Sequence, residues 1–193
     1  SYQRHLLFHS TLQLDKNRIL INRTLPNLDE LFELFDTERW GSFSGSKINK
    51  TKYLLLKLDL LLSNLYTRIY YNKSQSSVEH LMPQKINISE WDIDTDAHKV
   101  WLHRLGNIIL VDRKKNSSLS NSSYEVKKDK YKGAIENRAN TNWLFLTYQE
   151  WGVDELFHNH ERVLNLLREY YRGNSVETLK EMKVRLNKST KAI

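Results

Sequence analysis

Apolar residues recur at helical spacing in the first third of the chain. In "PNLDELFELFD" (26–36), Leu28, Leu31, Phe32 and Phe35 fall on one helical face, and Pro26 suits a helix entry. "WGSFSGSKIN" (40–49) carries Gly41 and Gly45 and predicts a loop. "KTKYLLLKLDLLLSNLYTRIYY" (50–71) predicts one long helix, apolar around most of its circumference. A helix of that kind is normally buried between others. Residues 1 to 72 as a whole read as helical.

The texture changes from residue 77. "SVEHLM" (77–82) predicts a strand, and Pro83 ends it, because its ring fixes φ and removes the backbone donor. An irregular polar stretch (87–98) leads to a short helix at 96–104. In "LGNIILVD" (105–112), Ile108 to Val111 form the clearest β run of the chain. A basic, hydroxyl-rich segment (113–133) turns helical by Tyr124. "TYQEWGVDELFHNHERVLNLLREYYRGN" (147–174) predicts an amphipathic helix stopped by Gly173, with a charged helix or frayed tail after it. The pattern predicts an α+β fold, mainly helical. Residues 1–75 form a helical extension, 76–135 a mixed core and 136–193 a helical part packing on it.

Composition narrows the partners. The 193 residues carry a formal net charge of +7 and a pI near 9.4, a balance that favours polyanions. There is no cysteine, which excludes disulfides, thiolate zinc sites and a cysteine nucleophile, and fits a reducing compartment. The longest apolar run (53–62) is interrupted by Lys57 and Asp59 and does not predict a membrane span. No signal peptide opens the sequence, and a start at Ser1 suggests a fragment of something longer.

Several chemical candidates fail on spacing. "DIDTDA" (92–97) begins like a calcium loop, but Ala97 and His103 stand where a glycine and a bidentate glutamate are needed. Its aspartates therefore read as solvated or capping residues. His98 and His103 diverge on a helix, as do His158 and His160, so each reads as surface or packing. One ordered series remains: Glu79-His80, Asn107, Asn116 and the lysines beyond. Phosphodiester hydrolysis needs a group that takes a proton from water, and an imidazole suits that task. It also needs charge neutralised on the phosphate, which a hard divalent cation on oxygen ligands achieves. Glu79 and Asn116 supply such oxygens, and lysines hold flanking phosphates as point charges. A strand ending in Glu79-His80 can pair with 108–111, and the chain can then bring Asn116 to the start of a helix beside them.

"EHLMPQ", "HRLGNIILV", "KNSSLSN" and "YEVKKDKY", in this order over residues 79 to 131, resemble the C-terminal nuclease domain of GmrSD-type modification-dependent restriction enzymes. That domain is an HNH, or ββα-metal, endonuclease. The resemblance implies a small ββα-metal core between helical flanks and cleavage of DNA with one Mg²⁺ or Mn²⁺ ion and no zinc. It implies His80 as general base, Glu79 and Asn116 as metal ligands, and Asn107 as a brace for the loop carrying the histidine. Asn121 would be structural, Lys127 would face phosphate, and Tyr131 matches the helix tyrosine. Lys114, Lys115, Lys128 and Lys130 would grip the DNA backbone beside Lys127. The setting implied is the prokaryotic cytoplasm, in anti-phage defence, beside an N-terminal NTP-dependent domain that senses modified DNA. Two rivals stand beside it: a DNA-binding module with a silent site, and a helical protein-interaction scaffold.

Overall fold

The computed structural model describes residues 13–14, 20–21, 27–42, 47–63, 76–86, 91, 93–112, 122–131 and 138–172. Strands β1 (Gln13–Leu14) and β2 (Leu20–Ile21) pair antiparallel, which corrects the all-helical reading of residues 1–72. Helix α1 (Leu28–Thr37) starts where the Asn27 side chain accepts a hydrogen bond from Asp29 N at 3.0 Å. Asp29 and Glu30 in its first turn suit the positive end of the helix dipole. Leu31, Phe32 and Phe35 are its buried face.

Helix α2 (Lys47–Leu62) begins inside the stretch expected as a loop. Of the long helix expected from residue 50 to 71, the part beyond Ser63 lies outside the described residues. Thr51, Leu54, Leu55, Leu58 and Asp59 are buried at helical spacing, while Leu60 is exposed, so one stripe of α2 meets the core. The turn between α1 and α2 is pinned at Trp40. Its indole nitrogen donates to Phe35 O at 3.1 Å, and its carbonyl accepts from Thr51 Oγ1 at 2.6 Å.

Strand β3 (Ser76–His80) pairs antiparallel with β4 (Ile108–Asp112), from Ser76 opposite Asp112 to His80 opposite Ile108. Between them lie helix α3 (Thr95–Trp101) and a single 3₁₀ turn at Leu105–Asn107. Asp94 caps α3, accepting from the backbone of Asp96 and Ala97 at 2.8 Å each, the capping role read from the sequence. Helices α4 (Tyr124–Tyr131), α5 (Ala139–Thr147) and α6 (Val153–Tyr171) follow. The helix expected from residue 147 starts six residues later, and α5 falls within the part expected to be helical (136–193), although the pattern marks no separate helix there.

The β3–β4 pair divides the core. Ile108 to Val111 are all buried, because both faces of the pair are covered. Val78, Ile108 and Leu110 pack with α1, α2 and α6 through Leu31, Phe35, Leu54, Leu58 and Val163. Ile109 and Val111 pack on the other face with Tyr124, Tyr131, Leu144 and Phe145 of α4 and α5. This is the period-2 alternation of a strand, carried into two cores. Burying each such side chain is worth about 1.5–3 kcal/mol.

Candidate active site

Glu79 and His80 are neighbours in β3, so their side chains leave opposite faces of the pair. Both are buried. The Glu79 carboxylate turns toward α4, where the Lys127 ammonium lies 2.9 Å from Oε1. Lys127 also donates to the His80 carbonyl at 2.5 Å. One ammonium thus fixes both the side chain of residue 79 and the backbone of residue 80. Lys127, expected to face phosphate, is fully buried, and this corrects the surface role read for it. Its position follows from spacing: Tyr124, Lys127 and Tyr131 form the inward stripe of α4. Tyr131 stacks on Phe145 with ring centroids 6.0 Å apart. Burial, and then the nearby Glu79 charge, push its hydroxyl pKa well above the ordinary value.

The His80 ring enters the other face. Its Nε2 lies 3.2 Å from His103 Nδ1, the two rings meeting edge to face at 5.2 Å. The Gly41 backbone hydrogen-bonds both rings. A Cβ at Gly41 would stand 2.5 Å from His80 Nε2 and 3.1 Å from His103 Nδ1, so only glycine lets the chain come this close. On its outer side, His80 Nδ1 has the Gln84 amide nitrogen at 3.5 Å. Burial pushes the His80 pKa down to about 3, helped by His103 and Lys127 and opposed by the Gly41 hydrogen bond. The ring is therefore neutral at physiological pH and keeps a lone pair. Burial also lowers His103, with Arg39 next in effect.

Asn107 ties the segments together. Its Oδ1 accepts from Met82 N at 2.7 Å and, at 3.4 Å, from the Trp151 indole. Its Nδ2 donates to Leu102 O at 2.9 Å and Met82 O at 3.3 Å. The loop leaving His80 and the turn carrying His103 are thus held by one fully buried amide. His98 adds to this, its Nε2 donating to Pro83 O at 3.1 Å. Behind the site, α6 packs directly on Gly106, whose N–H donates to His160 Nδ1 at 3.1 Å. Asn159 donates to Gly106 O at 2.6 Å.

The remaining expected residues divide in two. Lys128 donates to Tyr148 O at 2.7 Å and Gln149 Oε1 at 3.1 Å, and Lys130 is exposed. Lys114, Lys115, Asn116 and Asn121 lie outside the described residues. His103, Gly41 and Gln84 are the site residues that sequence reasoning missed. His103 opens the quoted string "HRLGNIILV", but its partner stands 23 positions away, so local spacing gives no signal.

A hard divalent cation is tested by its donors. Glu79 offers a carboxylate whose Oε1 is held by an ammonium, and ligating carboxylates ordinarily have such an orienting partner. Its chemistry fits such an ion. Among the described residues no three histidine or acidic side chains gather into a metal-binding group, so a further oxygen donor has to come from elsewhere. A cavity of about 640 Å³ lies beyond Pro83, between the starts of α4 and α6. Glu125, Glu150, Asp154 and Glu155 line it, which makes it a poor seat for a phosphate backbone.

An acid–imidazole pair at the end of a two-stranded sheet, covered by a helix and flanked by further helices, defines a small, mainly helical α+β domain with a polar site at the strand end. The chain belongs to the family described as "GmrSD restriction endonucleases, C-terminal domain", whose model matches residues 31–166. Membership places it among the nucleases of restriction systems. The matched span runs from α1 into α6 and takes in both faces of the β3–β4 pair. No curated protein matches the chain. Among the described residues no helix is long and apolar enough to cross a membrane.

Proposed function

We propose that the chain is a divalent-metal-dependent HNH endonuclease module that hydrolyses DNA phosphodiesters with His80 as general base. The observation that carries this is the setting of His80: a neutral imidazole with Nε2 turned inward onto Gly41 and His103, at a strand end fixed by Lys127 and Asn107. The inward nitrogen is occupied, so the outward Nδ1 takes the proton from the attacking water. A phosphate anion close to the ring favours its protonated form and offsets part of the cost of burial. Lys127 holds Glu79 oriented, and Asn107 keeps the loop after His80 from shifting. Mg²⁺ or Mn²⁺, held by oxygens of Glu79 and Asn116, supplies charge neutralisation at the phosphate when bound.

The basic residues Lys114, Lys115, Lys128 and Lys130 suit sequence-independent backbone contacts. Binding is then expected to weaken steeply as salt rises. In this proposal the module works in the prokaryotic cytoplasm against phage DNA, and a separate NTP-dependent sensor domain chooses the target.

The test is cleavage of supercoiled plasmid with Mg²⁺, Mn²⁺ or EDTA, beside His80→Ala. Metal-dependent nicking or linearisation is expected, with a loss of at least about 100-fold in the variant. DNA that is bound but never cut, with His80→Ala unchanged, would make the chain a binding module with a silent site. RNA offered in parallel checks the substrate.

A further inference from the structure

His103 touches the inward nitrogen of His80 through its side chain, and its own role has not yet been assigned. Three observations bear on that contact. The Nε2–Nδ1 distance is 3.2 Å, within hydrogen-bond reach. The His103 backbone is fixed from two sides: its carbonyl accepts from Gly41 N at 3.0 Å, and the preceding carbonyl of Leu102 accepts from Asn107 at 2.9 Å. The Gly41 backbone presses against both rings so closely that a methyl group there would collide with Nε2 of His80. The pair is therefore held as a unit by the same two residues, Gly41 and Asn107, that frame the end of β3.

A neutral imidazole has one N–H, and the partner of one nitrogen decides which nitrogen keeps the lone pair. An acceptor at Nε2 selects the Nε2–H form and leaves Nδ1 as the basic atom. The Gln84 amide nitrogen near Nδ1 agrees with a lone pair at that position.

We infer that His103 is a positioning residue: its Nδ1 accepts the Nε2–H of His80, fixing the ring's tautomer and orientation so that Nδ1 of His80 is presented to water. This deepens the nuclease proposal and rests on His80 acting as the base.

The experiment combines kinetics with ring ¹⁵N NMR on the 193-residue chain. His103→Leu removes the acceptor, and His103→Asn keeps an amide oxygen near the place of Nδ1. The Leu variant is expected to lower kcat by roughly 10–100-fold, the usual loss on removing an orienting partner. KM should stay within about twofold, since ground-state binding is untouched. The Asn variant should recover most of the loss. In the NMR spectrum, His80 Nδ1 should be unprotonated in the parent and in the Asn variant, and a tautomer mixture in the Leu variant. Where circular dichroism shows the Leu variant unfolded, His103→Gln replaces it, because its amide reaches past the required position.

An unchanged kcat in the Leu or Gln variant, while His80→Ala abolishes cleavage, overturns the role of His103 and leaves the nuclease standing. So does a His80 tautomer that ignores residue 103. A parent chain that never cuts fails the nuclease proposal instead, and the tautomer measurement still decides the contact between the rings.

Discussion

On one face of the β3–β4 pair, a buried carboxylate meets a buried ammonium; on the other, a buried imidazole meets a second imidazole and a stretch of backbone. Residues 79 and 80 are adjacent, so the contrast comes from the pleat alone. The Glu79 face compensates charge with charge. Lys127 costs much to desolvate, and the pairing recovers that only while both partners are present. The His80 face pairs two imidazoles whose pKa values are both lowered and depends on shape, with Gly41 admitted only because it lacks a Cβ. An ion pair orients a ligand strongly and tolerates small shifts. A ring held edge-on tolerates none, but its proton can move. Division of that kind suits a site that needs one fixed anionic group and one group able to exchange a proton.

Breaking the charged face should have the largest effect on stability. Lys127→Met leaves the Glu79 carboxylate buried without its cation, and about 3–5 kcal/mol should be lost. Adding Glu79→Leu should return most of it, since replacing both partners by apolar groups is often neutral. Urea midpoints of the two single variants and the double variant give the coupling. Additive losses would mean that the pair is not the buried unit described.

The shape-dependent face should break more gently and more specifically. Gly41→Ala forces a methyl group against His80 Nε2, and overpacking of this kind costs about 1–3 kcal/mol. Cleavage should fall further than that figure implies, because the displaced ring is the proposed base. Thermal melts beside plasmid cleavage separate the two. Full activity in Gly41→Ala would show that the ring has room to move.

The same contrast explains what the sequence discloses. Helix α1 and strand β4 are legible because single faces or whole runs are apolar: Leu31, Phe32 and Phe35 in one, Ile108 to Val111 in the other. Helix α5 is not, since Trp143 to Leu146 are consecutive apolar residues without helical spacing, and Leu146 is exposed. The order of Glu79, His80 and Asn107 is readable as a motif. The burial of Lys127 is not, because Lys128 and Lys130 beside it suggest a solvated face. Only the flanking tyrosines at helical spacing mark it as inward. The His80–His103 pairing is tertiary, brought about by the loop through α3, and no local pattern carries it.

A smaller effect belongs to His160, which joins the His80 face to α6. Its Nδ1 accepts from Gly106 N and its Nε2 donates to Asp36 Oδ1 at 3.1 Å, so both ring atoms are used by the neutral form. Trp101 meets the ring edge to face, and Arg104 and Glu161 complete the nearby charges. Burial lowers its pKa below the ordinary 6.5, outweighing the hydrogen bond and charge of Asp36, which favour protonation. The folded state thus binds this proton less readily than the unfolded chain. Its stabilising contribution is complete above pH 6.5 and is lost as pH falls through the lowered value. Protonation would also turn Nδ1 from acceptor to donor against Gly106 N–H. His160→Asn keeps an acceptor for that N–H and does not titrate. It should be slightly less stable than the parent at pH 7.5, yet lose less between that pH and 5.5, as read from urea midpoints at the two values. The remaining slope then reflects the other shifted groups among the described residues: His80 and His103, whose pKa values burial also lowers, and Asp59, which burial raises to about 6 and which acts in the opposite sense. An equal slope in both proteins would mean that the ring is protonated in the fold, or exposed enough to titrate freely, and the joint between Gly106 and α6 would have to rest on Asn159 alone.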